Sequence, residues 1–319
     1  MTTELTVPLV RRTQLDELGW GSRRVRRELE SGSLAAVRRG VYARAADIAH
    51  LTRPEQRIVL RARALALVSR SRPTFCGVTA AAIQGLPCLR DDGKIHLLTA
   101  DDRPGASADV VRHRDLHEAS SVDVNGLRCT PLARTVADVA RSETRDVALS
   151  VADAALRRRA FHPPGSYDET AATLFREDAL GWAARVTRNR RAAERLLRLA
   201  DGRAQLPGES VSRLRLLDLG FAPPALQVPV PGPHGGTFWV DFGLDDVDAW
   251  GEFDGKTKYR ELAAAEGRSP FEVVDREKQR EDWIRGSTNR RFARWGWDDI
   301  RDAATLGRRL RAFGITPPR

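Results

Sequence analysis

The chain has 319 residues, with 53 Lys plus Arg against 43 Asp plus Glu and a formal charge of +10. That length predicts two or three domains, and 41% hydrophobic residues suffice for real cores. No apolar run approaches membrane-spanning length, and the polar Met1-Thr2-Thr3-Glu4 start lacks a signal peptide's basic-then-apolar order, so a cytoplasmic protein with no membrane role is expected.

Residues 1–50 predict a winged-helix-like DNA-binding unit. A short helix over 12–18 stops at Gly19, and Ser22 caps a second helix over 23–31 that Gly32 closes. Val25 and Leu29 lie four apart and face inward, leaving Arg23, Arg24, Arg26 and Arg27 outward. Two short strands, 34–37 and 40–42, flank Arg38 and Arg39 as a basic wing would. Phosphate contacts supply most of the affinity in such a docking mode, so arginine at these positions suits DNA. A solvated arginine-rich helix is the rival reading.

Residues 51–160 predict an α+β module. Pro54 starts a helix and 79–84 makes a short one; Ile95–Thr99 and Val110–Arg114 alternate as strands. Asn125-Gly126 is a tight-turn signal, after which 131–141 and 146–159 return to helix. His113 and His117 stand four apart, but the surrounding pattern favours a polar surface pair over a metal pair. Arg134 and Asp138 read as a local ion pair. Cys76, Cys88 and Cys129 match no metal or redox spacing and are expected as buried thiols. Residues 161–204 predict a linker (161–166) followed by an arginine-studded helix over 181–202.

Residues 205–319 carry the clearest pattern. Pro207 and Gly208 open a helix that Gly220 ends, and strands at 225–230, 237–244 and 247–254 follow. A charged helix over 272–286 and a strand, Arg291–Trp295, complete an α-β-β-β-α-β order. Asp241 ends one apolar stretch; Glu252, Asp254 and Lys256 then sit at alternate positions and share one strand face, with Phe253 turned into the core. Carboxylates converging beside a lysine suit a hard divalent cation and the water it activates, which is phosphodiester-cutting chemistry. The alternative is that Asp245, Asp246 and Asp248 decorate a turn while Glu252 and Asp254 pair with Lys256 and Lys258. Trp239, Trp250, Trp295 and Trp297 are expected to build this core and its edge. No G-x-S-x-G elbow or phosphate-binding P-loop is present.

On Glu209, Asp241, the Glu252-Phe253-Asp254-Gly255-Lys256 string, residues 276–282 and Arg294-Trp295, the region 205–305 resembles the PD-(D/E)XK nuclease superfamily, in its very-short-patch-repair-like, DUF559-type branch. Val240 stands where that pattern has proline, and the second metal carboxylate is either Asp254 or Glu252. The resemblance implies Mg²⁺ or Mn²⁺ held by Asp241 with Asp254 or Glu252. Lys256 would attend the attacking hydroxide, Glu209 would orient a metal-bound water, and Arg276, Lys278 and Arg280 would touch the DNA backbone. Residues 11–160 resemble AbiEi-type antitoxins of type IV toxin–antitoxin systems, on Arg38-Arg39-Gly40-Val41-Tyr42, Gly85-Leu86-Pro87 and the Thr130–Asp138 stretch. That implies a DNA-binding regulator with a cognate toxin. The leading expectation is a DNA-binding protein with Mg²⁺-dependent endonuclease chemistry. Its rivals are a non-catalytic regulator carrying a degenerate nuclease domain, and a protein-interaction scaffold.

Overall fold

The computed structural model describes residues 7–100, 105, 107–114, 120–162, 165–255 and 270–318. The fold is mixed α+β with several small sheets, and it divides into two units: 1–155 with 169–200, and 156–168 with 201–319.

The first unit opens with β1 (Val10–Arg11), α1 (Arg12–Glu17), α2 (Ser22–Glu30), β2 (Leu34–Arg38), β3 (Val41–Arg44) and α3 (Ala45–Ile48). The strands pair antiparallel in the order β1-β3-β2. Gly19 and Gly32 take the left-handed conformation just past α1 and α2, which only glycine enters without a side-chain clash. Ser22 is the first helical residue of α2 and not its cap; Gly21 holds the cap position, and no side chain bonds there. Val25 packs with Leu15 and Leu34, and the arginines on either side of it in sequence stay exposed.

Next come α4 (Pro54–Val68), α5 (Gly77–Ile83), β4 (Ile95–Thr99), β5 (Val110–Arg114), β6 (Val122–Val124), β7 (Leu127–Cys129), α6 (Leu132–Ser142) and α7 (Arg145–Ala160). Strands β4 and β5 are parallel; β6 and β7 form a hairpin with Asn125 and Gly126 both at positive φ, as their sequence predicts. Ile58, Leu65, Phe75, Ile83, Ile95 and Leu127 centre the core. The buried Gln84 amide staples α5 to α6, donating from Nε2 to Thr130 O at 3.2 Å and Thr135 Oγ1 at 2.9 Å, so its polarity is satisfied. All three cysteines are buried free thiols, and burial pushes Cys88 and Cys129 up to about 12, with nearby carboxylates adding to it.

The 161–204 stretch departs from expectation. Its start is a small hairpin, β8 (Phe161–His162) with β9 (Ser166–Tyr167), where a linker was expected. Two helices follow, α8 (Glu169–Ala184) and α9 (Arg190–Leu199), and both pack on α6. An apolar stripe at Ala172, Phe175, Ala179 and Ala183 buries one face of α8 within the first unit. Asn189, at φ 59°, breaks the expected single basic helix in two.

The second unit contains α10 (Pro207–Leu219), β10 (Ala225–Pro231), β11 (Thr237–Leu244), β12 (Ala249–Phe253), α11 (Pro270–Thr288), β13 (Arg291–Trp295) and α12 (Ala303–Arg311). Its sheet runs β10-β11-β12-β13, antiparallel until the last pair, which is parallel. A parallel pair needs a crossover, and α11 lies on that connection. Helix α12 carries no signal in the reading above. Asp302 caps it, its Oδ1 accepting from Thr305 N at 2.7 Å. Arg290 bridges Asp245 and Asp248 at 2.7 and 2.9 Å, so those acids do serve a turn.

Ile284 of α11 closes a cluster with Val230, Val240, Trp250 and Phe292. Helix α10 packs through Ser212, whose Oγ accepts from Trp295 Nε1 at 2.8 Å, and through Gly208. A Cβ on Gly208 would lie 2.1 Å from the Phe253 ring. Gly208→Ala is therefore expected to lower unfolding free energy by about 1–3 kcal/mol, read by urea denaturation, because the ring has to move.

Candidate active site

In the second unit β11, β12 and α11 enclose a cleft of about 400 Å³. Asp241, Glu252 and Asp254 all line it, as their spacing predicts, while Phe253 packs over Gly208. Asp241 is locked across the sheet: its Oδ2 accepts from Phe253 N at 2.9 Å and its Oδ1 from Gln227 Nε2 at 3.1 Å. The same Gln227 amide reaches Glu209 Oε2 at 3.4 Å, and Glu209, 1% exposed on α10, also accepts from Gln205 N at 2.8 Å. Gln227 therefore ties two of the expected acids together. It does so from φ 50°, a left-handed conformation that costs a non-glycine residue about 1–3 kcal/mol. Sequence reasoning passed over this residue; its only signal is an amide between Leu226 and Val228 in an otherwise apolar strand.

Glu252 is 7% exposed, and both of its oxygens meet arginine. Arg280 Nη2 donates to Oε1 at 2.5 Å and Arg294 Nη2 lies 2.8 Å from Oε2. Glu277 accepts from both guanidinium groups, and Arg294 also meets Glu281 at 3.1 Å. Burial raises the Glu252 carboxyl above its ordinary range, with Arg280 and Arg294 only partly opposing it. Glu277 goes the other way: burial pushes it up, but the two arginines outweigh that and hold it low. Arg280, expected at a DNA backbone, lines the cleft with its guanidinium held by Glu252 and Glu277. Arg276 and Lys278 lie on the exposed side of α11. Arg294 gains its place from the parallel register, which sets it beside Glu252.

The Asp254 carboxylate is half-buried and has no partner among the described residues. Lys256 and Lys258 lie outside the described residues. The donor set has the chemistry for Mg²⁺ or Mn²⁺, being hard carboxylate oxygens. Its arrangement does not fit one. Both Glu252 oxygens are bridged to arginine, both Asp241 oxygens accept hydrogen bonds, and no three metal-binding side chains converge among the described residues. Two guanidinium groups supply the countercharge that a divalent cation would otherwise bring.

Of the arginines expected at DNA, Arg23, Arg24, Arg26 and Arg27 are exposed on α2, with Arg24 lying 4.1 Å over the Trp20 ring. Arg39 is exposed as well, whereas Arg38 pairs with Asp109, so its fork is occupied within the unit. Among the tryptophans, Trp250 and Trp295 are core, while Trp239 at the cleft and Trp297 edge-on to Phe253 stay about half exposed. No helix among the described residues is long and apolar enough to cross a membrane.

No family model matches the sequence. The chain is 32% identical over 228 residues to two proteins of Mycobacterium tuberculosis, the uncharacterized protein MT2308 of strain CDC 1551 and the uncharacterized protein Rv2248 of strain H37Rv. Each match covers 71% of this chain and 76% of the relative.

Proposed function

The chain belongs to one family with these two mycobacterial proteins, and for it we propose a DNA-binding, antitoxin-like regulatory role in which the C-terminal domain binds nucleic acid without cutting it. The observation that carries this is α2, a short helix that buries Val25 and presents Arg23, Arg24, Arg26 and Arg27 to solvent beside an antiparallel hairpin. A winged-helix-like unit uses such a helix to reach a groove and its arginines to hold phosphates. In the second unit the α-β-β-β-α-β order, with the final strand parallel to its neighbour, suits a restriction-endonuclease-like domain. The pairing of Glu252 with Arg280 and Arg294 favours binding over metal-dependent cleavage there.

A second reading is an Mg²⁺- or Mn²⁺-dependent endonuclease. It is favoured by the Asp254 carboxylate, which has no partner among the described residues, and by the strained Gln227 that orders Asp241 and Glu209. With Asp254 as the second metal carboxylate Glu252 can stay on its arginines, whereas Glu252 as a ligand would have to leave them.

A supercoiled plasmid incubated with the protein and Mg²⁺ or Mn²⁺ separates the readings. Retardation without nicking, at an affinity that falls steeply with salt, is the expected result. Nicking that Asp241→Ala abolishes would establish the endonuclease, and absence of any binding at physiological salt would remove both.

A further inference from the structure

The first unit holds a cleft of its own, about 550 Å³ in volume, within the roughly 300–1,000 Å³ range of small-ligand pockets. The parallel register sets His96 beside Val111 and Leu98 beside His113, so these four share the face of β4 and β5 that lines the cleft. Ile95 and Val110 turn to the core. Helix α6 contributes Arg134, Asp138 and Arg141 at helical spacing, and Trp182 of α8 stands opposite with Arg134 at 5.3 Å from its ring.

Five arginines and one carboxylate, Asp138, line this space among the described residues, and Asp138 already meets both Arg134 and Arg141. Two further groups lack a bond. Arg141 gives Nη2 to Asp138 at 2.5 Å, but its buried Nε has no acceptor among the described residues; His96 Nδ1 meets His113 Nε2 at 2.9 Å, and the buried His96 Nε2 has no partner among them either. Buried polar atoms are almost always paired, so two orphans in one basic cleft point to a missing anion. A concave cleft whose cations come from several elements and converge on one small volume suits a compact anion better than the extended backbone of a duplex.

We propose that this cleft binds a small phosphorylated ligand, with the His96–His113 pair and the surrounding arginines facing its phosphate. The pair shares one hydrogen bond, so one ring donates and the other accepts. Burial lowers the proton affinity of both rings. Around His96, Asp92 opposes that and Lys94 reinforces it; around His113, His96 and Arg141 reinforce it and Asp138 opposes it. Arg112 and Arg114 on β5, Arg134 on α6, Arg188 after α8 and the Cys76 thiol complete the surroundings of the pair. A bound anion reverses the balance, so binding takes up a proton and strengthens as pH falls.

Titration calorimetry of the full chain, with inorganic pyrophosphate and inorganic sulfate as probes, tests this. Saturable binding of pyrophosphate is expected, weakened about tenfold by Arg141→Ala, which removes the unbonded Nε, or by Arg188→Ala, an exposed side chain whose loss leaves the core intact. Sulfate stays a dianion in this range, so its affinity should rise on acidification as the pair takes up a proton, and His96→Gln should flatten that profile. The proposal fails if neither anion binds saturably at millimolar concentration, if both arginine variants bind like wild type, or if a duplex oligonucleotide occupies the cleft and pyrophosphate does not displace it.

Discussion

Replacing Arg23, Arg24, Arg26 and Arg27 together by alanine is expected to weaken duplex binding by roughly 10²–10³-fold near 0.15 M salt. Each phosphate contact releases counterions and contributes about 0.9 to the slope of log affinity against log salt, so the slope should shrink by about three to four. The folded state should survive the change. All four side chains are exposed, the helix is held by Val25 against Leu15 and Leu34, and alanine favours helix. Arg38→Ala is the control, since its guanidinium already serves Asp109. Its effect on the salt slope should be much smaller. Filter binding across a salt series reads both quantities, and an unchanged slope in the fourfold variant would remove α2 from the interface.

Arg280→Met should destabilise the protein by about 2–4 kcal/mol at neutral pH. The methionine keeps the apolar stem but leaves Glu252, nine-tenths shielded, with Arg294 as its main countercharge, and it also frees one side of Glu277. The pH dependence follows from the direction of the Glu252 shift. Burial already raises that carboxyl above its unfolded value. A group raised in the folded state stabilises it below the unfolded pKa, and this contribution is lost as pH rises through the folded pKa. Removing Arg280 raises Glu252 further, so the gap between variant and wild type should narrow on acidification as Glu252 takes a proton. Urea denaturation from neutral into the acid range measures it. A gap that stays constant or widens toward acid would mean that Glu252 is not the group left uncompensated.

Much of the second unit could be read from the chain alone. Proline and glycine mark both ends of α10, β11 and β13 lie where their apolar runs predict strands, and the acids at 241, 252 and 254 reach one cleft because strand side chains repeat every second residue. Helical spacing, equally local, placed Val25 inward and its arginine neighbours outward. Local rules failed where a partner came from far along the chain. The 181–202 stretch looked like one basic helix because its arginines dominate, while the apolar stripe that docks α8 begins at Ala172 and is matched by α6.

The residues that set the character of both clefts are of that second kind. Arg294 stands beside Glu252 because β12 and β13 run parallel in one register among several that the side-chain alternation would allow. Arg280 turns inward because Ile284, one helical turn later, anchors α11 on the sheet. His113 meets His96, seventeen positions earlier, through another parallel pairing, while His117, four residues on, lies outside the described residues. Periodicity and capping act over a few residues and are written in the chain locally. Strand register and helix docking minimise the exposed apolar surface and unpaired charge of the whole unit, and those are settled only once distant segments pack.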